Sequence, residues 1–309
     1  MQEILIFIAA LALVAKGSTL ATRYAGRLAQ SYRLSSYAVG FIVVAVISIL
    51  PETFISIKAA FSGVPSFGLG VLFGSNIADL TLVLALIIFL AGRGVRIESK
   101  ILRHHVAYPL LLLVPLVLGF DGSFTRIEGA ALVLLGCIFY YVSLREGGNE
   151  PAPAESVGPR WKNASMLLAS MGILLVGAHF TVESAAAIAG MLGVNPVLIG
   201  LLVVGLGTTL PEFFFSLKSV RQRNDSLAVG DILGTVLADA TIVVGILALA
   251  NPFAFPKRII YITGIFMLFA SVILFHFMRS GRTITRREAR MLLVFWVSFV
   301  LVEFVANSY

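Results

Sequence analysis

Four carboxylates lie in apolar segments of the sequence at spacings that could place them around one cation. Glu52 and Glu212 each follow a proline directly, and Asp79 and Asp239 each lie four residues after a Ser or Thr. A carboxylate at the centre of a bilayer costs roughly 2.5 to 3.5 kcal/mol on insertion scales and normally marks an ion pathway. The chemistry that we expect of these residues is cation binding.

Hydroxyl side chains accompany the carboxylates. They are Ser48, Ser75, Thr208, Thr209 and Thr235. Ser75 and Asp79 are one helical turn apart and point the same way, and Thr235 repeats this arrangement with Asp239. No group of His or Cys lies near them in the sequence, so the ligand set does not suit zinc. Calcium takes about six to eight oxygens in flexible geometry, so this set suits it better than the strict octahedron of magnesium.

Two prolines should place backbone oxygens at the same depth. Pro51 and Pro211 each lack an amide hydrogen and crowd the carbonyl four residues earlier, so both helices should break near their centres. Carbonyls freed inside a bilayer are tolerated only beside protein or cavity water, and they can bind cations. Each glutamate then begins a second half-helix, where the helix dipole favours a negative charge. A simple capping role is the alternative, but two related glutamates at bilayer depth favour an ion site.

The elements that position these residues are membrane helices. The chain of 309 residues is 59% hydrophobic and 13% charged, with a mean hydropathy of +0.98. Since a span takes about 20 apolar residues, the apolar runs predict ten transmembrane helices near 4–28, 37–61, 67–91, 104–120, 126–144, 163–191, 197–220, 227–250, 258–278 and 289–307. No room remains for a soluble catalytic domain. The net charge of +7 is spread over loops, and nucleic-acid binding would require one cationic face.

An internal repeat organises these spans. Shifting the chain by 160 residues aligns Pro51 and Glu52 with Pro211 and Glu212, and the register continues to the two aspartates. We therefore predict a first five-helix repeat over 1–146 and a second over 161–309, joined by a linker over 147–160. Because five is odd, the repeats must be inverted, as in many secondary transporters. We predict an outside N-terminus, because this orientation puts 18 of the 23 Lys and Arg residues on the cytoplasmic side, where they are usually enriched. The linker is then cytoplasmic.

Two motifs resemble the alpha repeats of the calcium/cation antiporter superfamily, in its prokaryotic sodium/calcium exchanger branch. They are LPETFIS and LPEFFFS, each followed by a Gly-Ser or Gly-Thr segment that ends in Asp, with GTTLPE at Gly207–Glu212 and GSN at Gly74–Asn76 as specific matches. The resemblance covers all ten spans. It implies a multi-pass antiporter of a prokaryotic plasma membrane that exchanges Ca2+ for Na+ by alternating access. Spans two, three, seven and eight would form its core, and spans one and six would slide across it.

The resemblance also implies roles for the candidate residues. Glu52 and Glu212 would coordinate calcium, and Asp79 and Asp239 would lie at the centre. Flanking sodium sites would be shaped by Ser48, Ser75, Thr208, Thr209 and Thr235. The family needs no cofactor and is not enzymatic. We expect its partners to be inorganic cations and the lipid bilayer, without nucleic acid, in a monomer or a weak homo-oligomer.

The first repeat departs from the family pattern. It reads Ile47, Ser48 and Ile49 where Gly-Thr-Ser is usual, and Asp79 and Asp231 occupy positions where Asn is commoner. Four close carboxylates should not all be ionised, so at least one of the two central aspartates should be protonated in some states. A proton or a potassium ion could then replace a sodium ion in the exchange cycle.

Other interpretations remain open on the sequence alone. Calcium/proton exchange would use the same acidic site. An intramembrane aspartyl protease would need a Gly-x-Gly-Asp signature, whereas Asp231 follows Ala-Val-Gly. A passive cation channel would show uncoupled conductance. Lys16, deep in the first span, either faces a wet cavity or pairs with one of the four carboxylates.

Overall fold

The protein is almost entirely helical over the residues that its computed structural model describes, which are 2–32, 34–61, 65–98, 107–146, 158–191, 207 and 209–307. Long apolar runs favour helices in a membrane because a helix satisfies its backbone hydrogen bonds within one segment. The α-helices are α1 (Gln2–Tyr32), α2 (Ser36–Ala38), α3 (Ala45–Ser48), α4 (Leu50–Phe61), α5 (Pro65–Ala78), α6 (Leu84–Ala91), α7 (Ala107–Leu118), α8 (Arg126–Glu146), α9 (Arg160–Met191), α10 (Leu210–Arg221), α11 (Asp225–Ala238), α12 (Val244–Ala250), α13 (Ile265–Gly281) and α14 (Arg286–Asn307).

Seven helical segments in these described ranges are long and apolar enough to cross a membrane. They are Glu3–Tyr32, Gly68–Ala91, Arg126–Arg145, Arg160–Thr181, Asp225–Ala250, Ile259–Gly281 and Arg286–Ala306. Two shorter apolar segments cover Ser36–Ser48 and Ala107–Asp121. The chain is therefore a mostly helical membrane protein. Ten spans in two inverted repeats stay a prediction, and most of the linker and the first half of the seventh predicted span lie outside the described residues.

The third and eighth predicted spans lie at the centre of the helix bundle. The apolar windows within Gly68–Ala91 and Asp225–Ala250 are each 83% buried, against 17 to 44% for the other five spans described. The eighth span packs through α11 against α2 and α3 of the second, and α4 packs against α5. The outer helices α1, α8, α9 and α14 leave large apolar side chains exposed, as expected of surfaces that face lipid.

Four segments of the described chain change from α-helical to π-helical hydrogen bonding. They are π1 (Val39–Val44), π2 (Asp79–Val83), π3 (Asp239–Val243) and π4 (Ile259–Gly264). π2 and π3 begin at Asp79 and Asp239, two of the predicted site residues, which are 160 positions apart. π-helical turns occur frequently at functional sites, and these two begin at aspartates that the sequence predicts to bind a cation.

Helices α1 and α9 cross closely through a glycine on each. A Cβ atom added at Gly17 would lie 2.8 Å from the backbone nitrogen of Leu174, and one added at Gly177 would lie 2.9 Å from that of Val14. Small residues permit this close approach of membrane helices. The first and sixth predicted spans therefore pack as a tight pair.

Two short antiparallel sheets in the part of the chain described tie the ends of the central helices to other helices. The strands are β1 (Val95–Arg96), β2 (Ser123–Phe124), β3 (Phe253–Ala254) and β4 (Thr283–Ile284). β1 follows α6 and pairs with β4, whereas β3 follows α12 and pairs with β2. Asp225, the first residue of α11, accepts the backbone N–H of Arg96 at 2.8 Å. The eighth span therefore begins at the β1–β4 sheet and ends at the β2–β3 sheet, and we name the two ends of the bundle the β1–β4 face and the β2–β3 face.

An ion pair joins the third and eighth spans at the β1–β4 face. The Arg93 guanidinium donates to both carboxylate oxygens of Asp225, with one of these bonds at 2.8 Å, and to the carbonyl of Val220. The hydrogen bond that Arg93 donates to Asp225 is the main cause that raises the pKa of Arg93 above its ordinary value. Bidentate pairs of this kind fix geometry as well as charge, so the pair holds two central helices in register.

Asp225→Asn should lower the thermal stability of the purified protein. The substitution leaves a guanidinium facing an amide and removes one of its two strong acceptors. Because the Arg93 side chain is 25% exposed, we expect a loss of about 1 to 3 kcal/mol, less than for a fully buried pair. The measurement is the unfolding midpoint in detergent. Arg93→Lys keeps the charge but loses the guanidinium that donates to both carboxylate oxygens, so its midpoint should be intermediate. An unchanged midpoint in Asp225→Asn would contradict a stabilising role of this ion pair.

Candidate ion-binding site

The four predicted carboxylates are buried in the centre of the bundle. Glu52 on α4 and Asp79 on π2 are each 1% exposed, and Glu212 on α10 and Asp239 on π3 are 0% exposed. Glu52 interacts electrostatically with each of the other three, and Asp79 also interacts with Glu212 and Asp239. The fold therefore brings residues from four different predicted spans into one cluster of negative charge.

Several oxygens of this cluster have no hydrogen-bond donor among the described residues. Both carboxylate oxygens of Asp79, Asp239 and Glu212 are buried without a hydrogen-bond partner, and so are the Thr235 hydroxyl and the Oδ1 atom of Asn76. Buried polar atoms in native proteins are nearly always satisfied, so each exception needs a physical explanation. A cation bound among these oxygens would satisfy them.

The hydroxyl side chains lie in different environments. Ser48 donates to the Asp231 carboxylate at 3.4 Å, and Ser75 donates back to the Leu72 carbonyl of its own helix at 3.0 Å. Thr209 is 3% exposed and directly precedes α10. Thr235 lies one turn before Asp239, as the sequence predicted. Thr208 lies outside the described residues.

The cluster does not form a closed metal site in this conformation. Among residues whose placement is described, no three His, Cys, Asp or Glu side chains are arranged to hold one metal ion. The carboxylates are thus close enough to interact electrostatically without sharing a ligand sphere. An ion bound here would need hydroxyl or backbone oxygens as further ligands, or a movement of the carboxylates toward it.

Comparison with known proteins identifies the family. The model of the sodium/calcium exchanger protein family matches residues 3–145 and 162–305. The chain belongs to this family. It is therefore a multi-pass membrane antiporter of the cation-exchanger type, and the family prediction from the sequence is confirmed.

Relatives and a solved structure extend the comparison over nearly the whole chain. The sodium/calcium exchanger MaX1 of Methanosarcina acetivorans is 24% identical over 97% of this chain and 98% of its own. The inner membrane protein YrbG of Escherichia coli is 28% identical over 73% of each chain. A structure of the sodium-calcium exchanger NCX_Mj, soaked with Na+ and Ca2+, superposes with a TM-score of 0.85 at 23% identity and covers 97% of this chain and 98% of that one. At that identity, the superposition establishes a shared fold.

Two tyrosines that the sequence reasoning missed support the site of this antiporter. The hydroxyls of Tyr108 on α7 and Tyr140 on α8 donate to the carbonyls of Leu233 and Gly234, each at 2.7 Å. These are consecutive carbonyls of α11, and Thr235 follows them directly. The tyrosines therefore fix the backbone next to a candidate ligand. Their only signal in the sequence is a phenol hydroxyl within an apolar span, near the start of the span for Tyr108 and near the end for Tyr140.

Lys16 of the antiporter does not join the carboxylate cluster. Its side chain is exposed on α1, whereas all four carboxylates are buried. No ion pair of Lys16 is present in the described part of the structure. The hypothesis that it serves as a tethered cation for the cluster is therefore not supported by this conformation.

Proposed function

We propose that this antiporter exchanges Ca2+ against Na+, with Glu52, Glu212, Asp79 and Asp239 as its cation-binding carboxylates. The observation that carries the proposal is the set of buried oxygens on Asp79, Asp239 and Glu212 that no described donor satisfies. Uncompensated buried carboxylates are costly, so the cluster requires cations. The named activity of the relative MaX1 as a sodium/calcium exchanger supports the same pair of ions.

Calcium would be held by a mixed set of oxygens. It takes about six to eight oxygen ligands in flexible geometry. Glu52 and Glu212 supply the carboxylates from α4 and α10 in this proposal, and Asp79 and Asp239 complete the centre. Flanking sodium sites would use the hydroxyls of Ser48, Ser75, Thr208, Thr209 and Thr235.

Exchange follows from competition for shared ligands. One divalent ion and several monovalent ions would use overlapping carboxylates, so their binding is mutually exclusive. The empty carrier would keep the buried carboxylates of Asp79, Asp239 and Glu212 without described donors, which makes its passage between the two faces costly. In a loaded carrier the bound ions, together with protons on part of the carboxylates, offset much of the negative charge, so the loaded carrier crosses more readily. These two conditions couple calcium movement to sodium movement.

The backbone ahead of each glutamate supports the inverted repeat with two broken helices. Ile49 lies between α3 and α4 with ψ of −4°, where the hydrogen bonds from Ile49 to Ala45 and from Thr53 to Ile49 are kept, and Thr209 precedes α10 with ψ of 1°. The two residues are 160 positions apart and each directly precedes a Leu-Pro-Glu sequence. We propose that the second and seventh spans are broken at these two positions. The closely packed α1 and α9 pair would then slide across the core to open the site to each face in turn.

Calcium uptake into vesicles tests the proposal. Purified protein is reconstituted with sodium inside, and radiolabelled calcium is added outside either with or without external sodium. We expect rapid calcium accumulation only when the sodium gradient is outward, because efflux of sodium drives entry of calcium. Protein-free vesicles and vesicles with equal sodium on both sides are the controls.

The same vesicles distinguish the rival functions. Calcium accumulation driven by an outward proton gradient in the absence of sodium would show that protons, and not sodium, are the coupling ion. Accumulation that requires potassium together with sodium would add a potassium ion to the cycle. Calcium entry that merely equilibrates, without dependence on any gradient of a second cation, would indicate a channel and overturn the proposed exchange.

A further inference from the structure

Asp231 is a fifth buried carboxylate with an environment unlike that of the other four. It is 0% exposed on α11 and precedes Asp239 by eight residues, which is about 12 Å along a helix. Its oxygens accept hydrogen bonds from the hydroxyls of Ser48 at 3.4 Å and Ser216 at 3.1 Å. Serines of the second and seventh predicted spans thus meet one carboxylate of the eighth. This cluster, Asp231 with Ser48 and Ser216, lies between the central carboxylates and the β1–β4 face.

The Asp231 carboxylate lacks a balancing positive charge. Two hydroxyl donors satisfy its oxygens in the charged form, yet no Lys, Arg or His side chain pairs with it in the part of the chain that is described. It also interacts electrostatically with Asp79 and Glu212, which adds to the negative charge of the centre. If it is ionised, a buried carboxylate of this kind is stabilised by a cation nearby.

The repeat provides an internal comparison for this cluster. A shift of 160 residues relates Ser216 to Ser56, and their hydroxyls make the same contact, to the carbonyls of Ala228 at 3.3 Å and Gly68 at 3.2 Å. Asp231 corresponds to Val71. The half of the core toward the β2–β3 face therefore keeps the serine but lacks the carboxylate. The helix contact does not require an acid, so the acid has another role.

The charge balance of the site indicates what that role is. One Ca2+ offsets two negative charges, so it cannot balance an ionised Asp231 in addition to the ionised carboxylates of the centre, of which at least one should be protonated in some states. The Asp231 cluster offers one charge, two hydroxyls and the nearby Ala228 carbonyl, which are hard oxygen donors suited to a hard cation of low charge.

From this arrangement we propose that Asp231, Ser48 and Ser216 form a monovalent-cation site on the β1–β4 side of the centre, which holds Na+ while calcium occupies the central carboxylates. The proposal rests on the proposed exchange function for its central calcium. It makes cation binding unequal on the two sides of the centre, because Val71 replaces the acid on the other side. Sodium would then be both an exchanged ion and a resident ion of the calcium-loaded state.

Equilibrium binding of radiolabelled Na+ to the purified full chain at saturating Ca2+ tests the site. Calcium displaces sodium from the shared central carboxylates, so the sodium that remains reports the Asp231 cluster. We expect about one ion per chain in the unmodified protein and an affinity lower by about tenfold or more in Asp231→Asn, since a buried charge is removed. Ser216→Ala should weaken binding less. Ser56→Ala, the repeat counterpart without a carboxylate, should retain the ion.

Two measurements keep the outcomes distinct. Calcium binding and a single elution peak for Asp231→Asn show that the variant is folded, and Asp231→Glu, which keeps the charge, should restore part of the sodium binding. Equal sodium retention in Asp231→Asn and the unmodified protein, or none in the unmodified protein, would overturn the site. If vesicles show no sodium-driven calcium uptake while sodium binding still depends on Asp231, the exchange function fails and the sodium site stands.

Discussion

Glu212→Gln should nearly abolish sodium-driven calcium uptake. The side chain is 0% exposed and neither carboxylate oxygen has a described donor, so its charge is available to an ion. The amide keeps the shape but removes the charge and adds hydrogen-bond donors where a cation would bind. Removal of one partner from a buried charge pair costs about 2 to 5 kcal/mol. At low calcium we therefore expect uptake to fall about 30-fold or more.

The control for this prediction is an exposed glutamate. Glu183 lies on α9, 66% exposed at its side chain, and Glu183→Gln makes the same chemical change away from the cluster. Its uptake rate should match that of the unmodified protein. Glu52→Gln, the repeat counterpart of Glu212→Gln, should lose uptake to a similar extent. Normal calcium uptake in a correctly folded Glu212→Gln protein would remove this residue from the site and with it the proposed calcium coordination.

Gly234→Ala should separate the second and eighth predicted spans and destabilise the core. A Cβ atom at Gly234 would lie 2.2 Å from the backbone oxygen of Phe41 in π1. Neither partner is a flexible side chain, so the helices themselves must move apart. Overpacking of a core typically costs about 1 to 3 kcal/mol and occasionally more; a clash between two backbones should reach the upper part of that range. We expect a lower unfolding midpoint and a smaller yield of monodisperse protein.

A second contact of the same interface can be tested from the second span. A Cβ atom at Gly40 would lie 2.2 Å from the backbone oxygen of Leu227, so Gly40→Ala should produce a comparable loss. Gly172 on α9 is the matched control, because a Cβ atom there meets no described atom within 4 Å. Gly172→Ala should leave the midpoint unchanged or slightly higher, since alanine favours the helix. Equal midpoints for all three variants would show that the second and eighth spans do not require the close approach.

The carboxylate cluster was predictable because its signal lies in residue types that apolar helices rarely contain. Charged side chains at bilayer depth are costly and stand out against leucine and valine, and the 160-residue repeat related Glu52 to Glu212 and Asp79 to Asp239. The burial of all four residues follows that prediction. The π-helical turns that begin at the two aspartates were not predicted, because the change of hydrogen-bond register leaves no mark in composition.

The partners across helices could not be predicted. The sequence indicates only that Asp225 is an acidic residue in the first turn of a helix, yet Asp225 pairs with Arg93, which follows the third predicted span. The sequence around Tyr108 and Tyr140 indicates only buried packing residues, yet their hydroxyls donate hydrogen bonds to two adjacent carbonyls of α11. Tilt and rotation of a membrane helix are set by packing against its neighbours, and the length of an apolar run contains no information on either.

By itself, the sequence determined the membrane class and the family, and it predicted the central carboxylates, because the bilayer penalises polar groups and those that remain in apolar spans stand out. Only the tertiary structure decided which hydroxyls meet which acids. Ser48, predicted to shape a flanking sodium site, donates to Asp231 and not to the unsatisfied oxygens of Asp79 and Asp239. The physical reason is that a side chain contacts whatever the rotation of its helix brings within hydrogen-bond distance, and that rotation results from the packing of all the helices together.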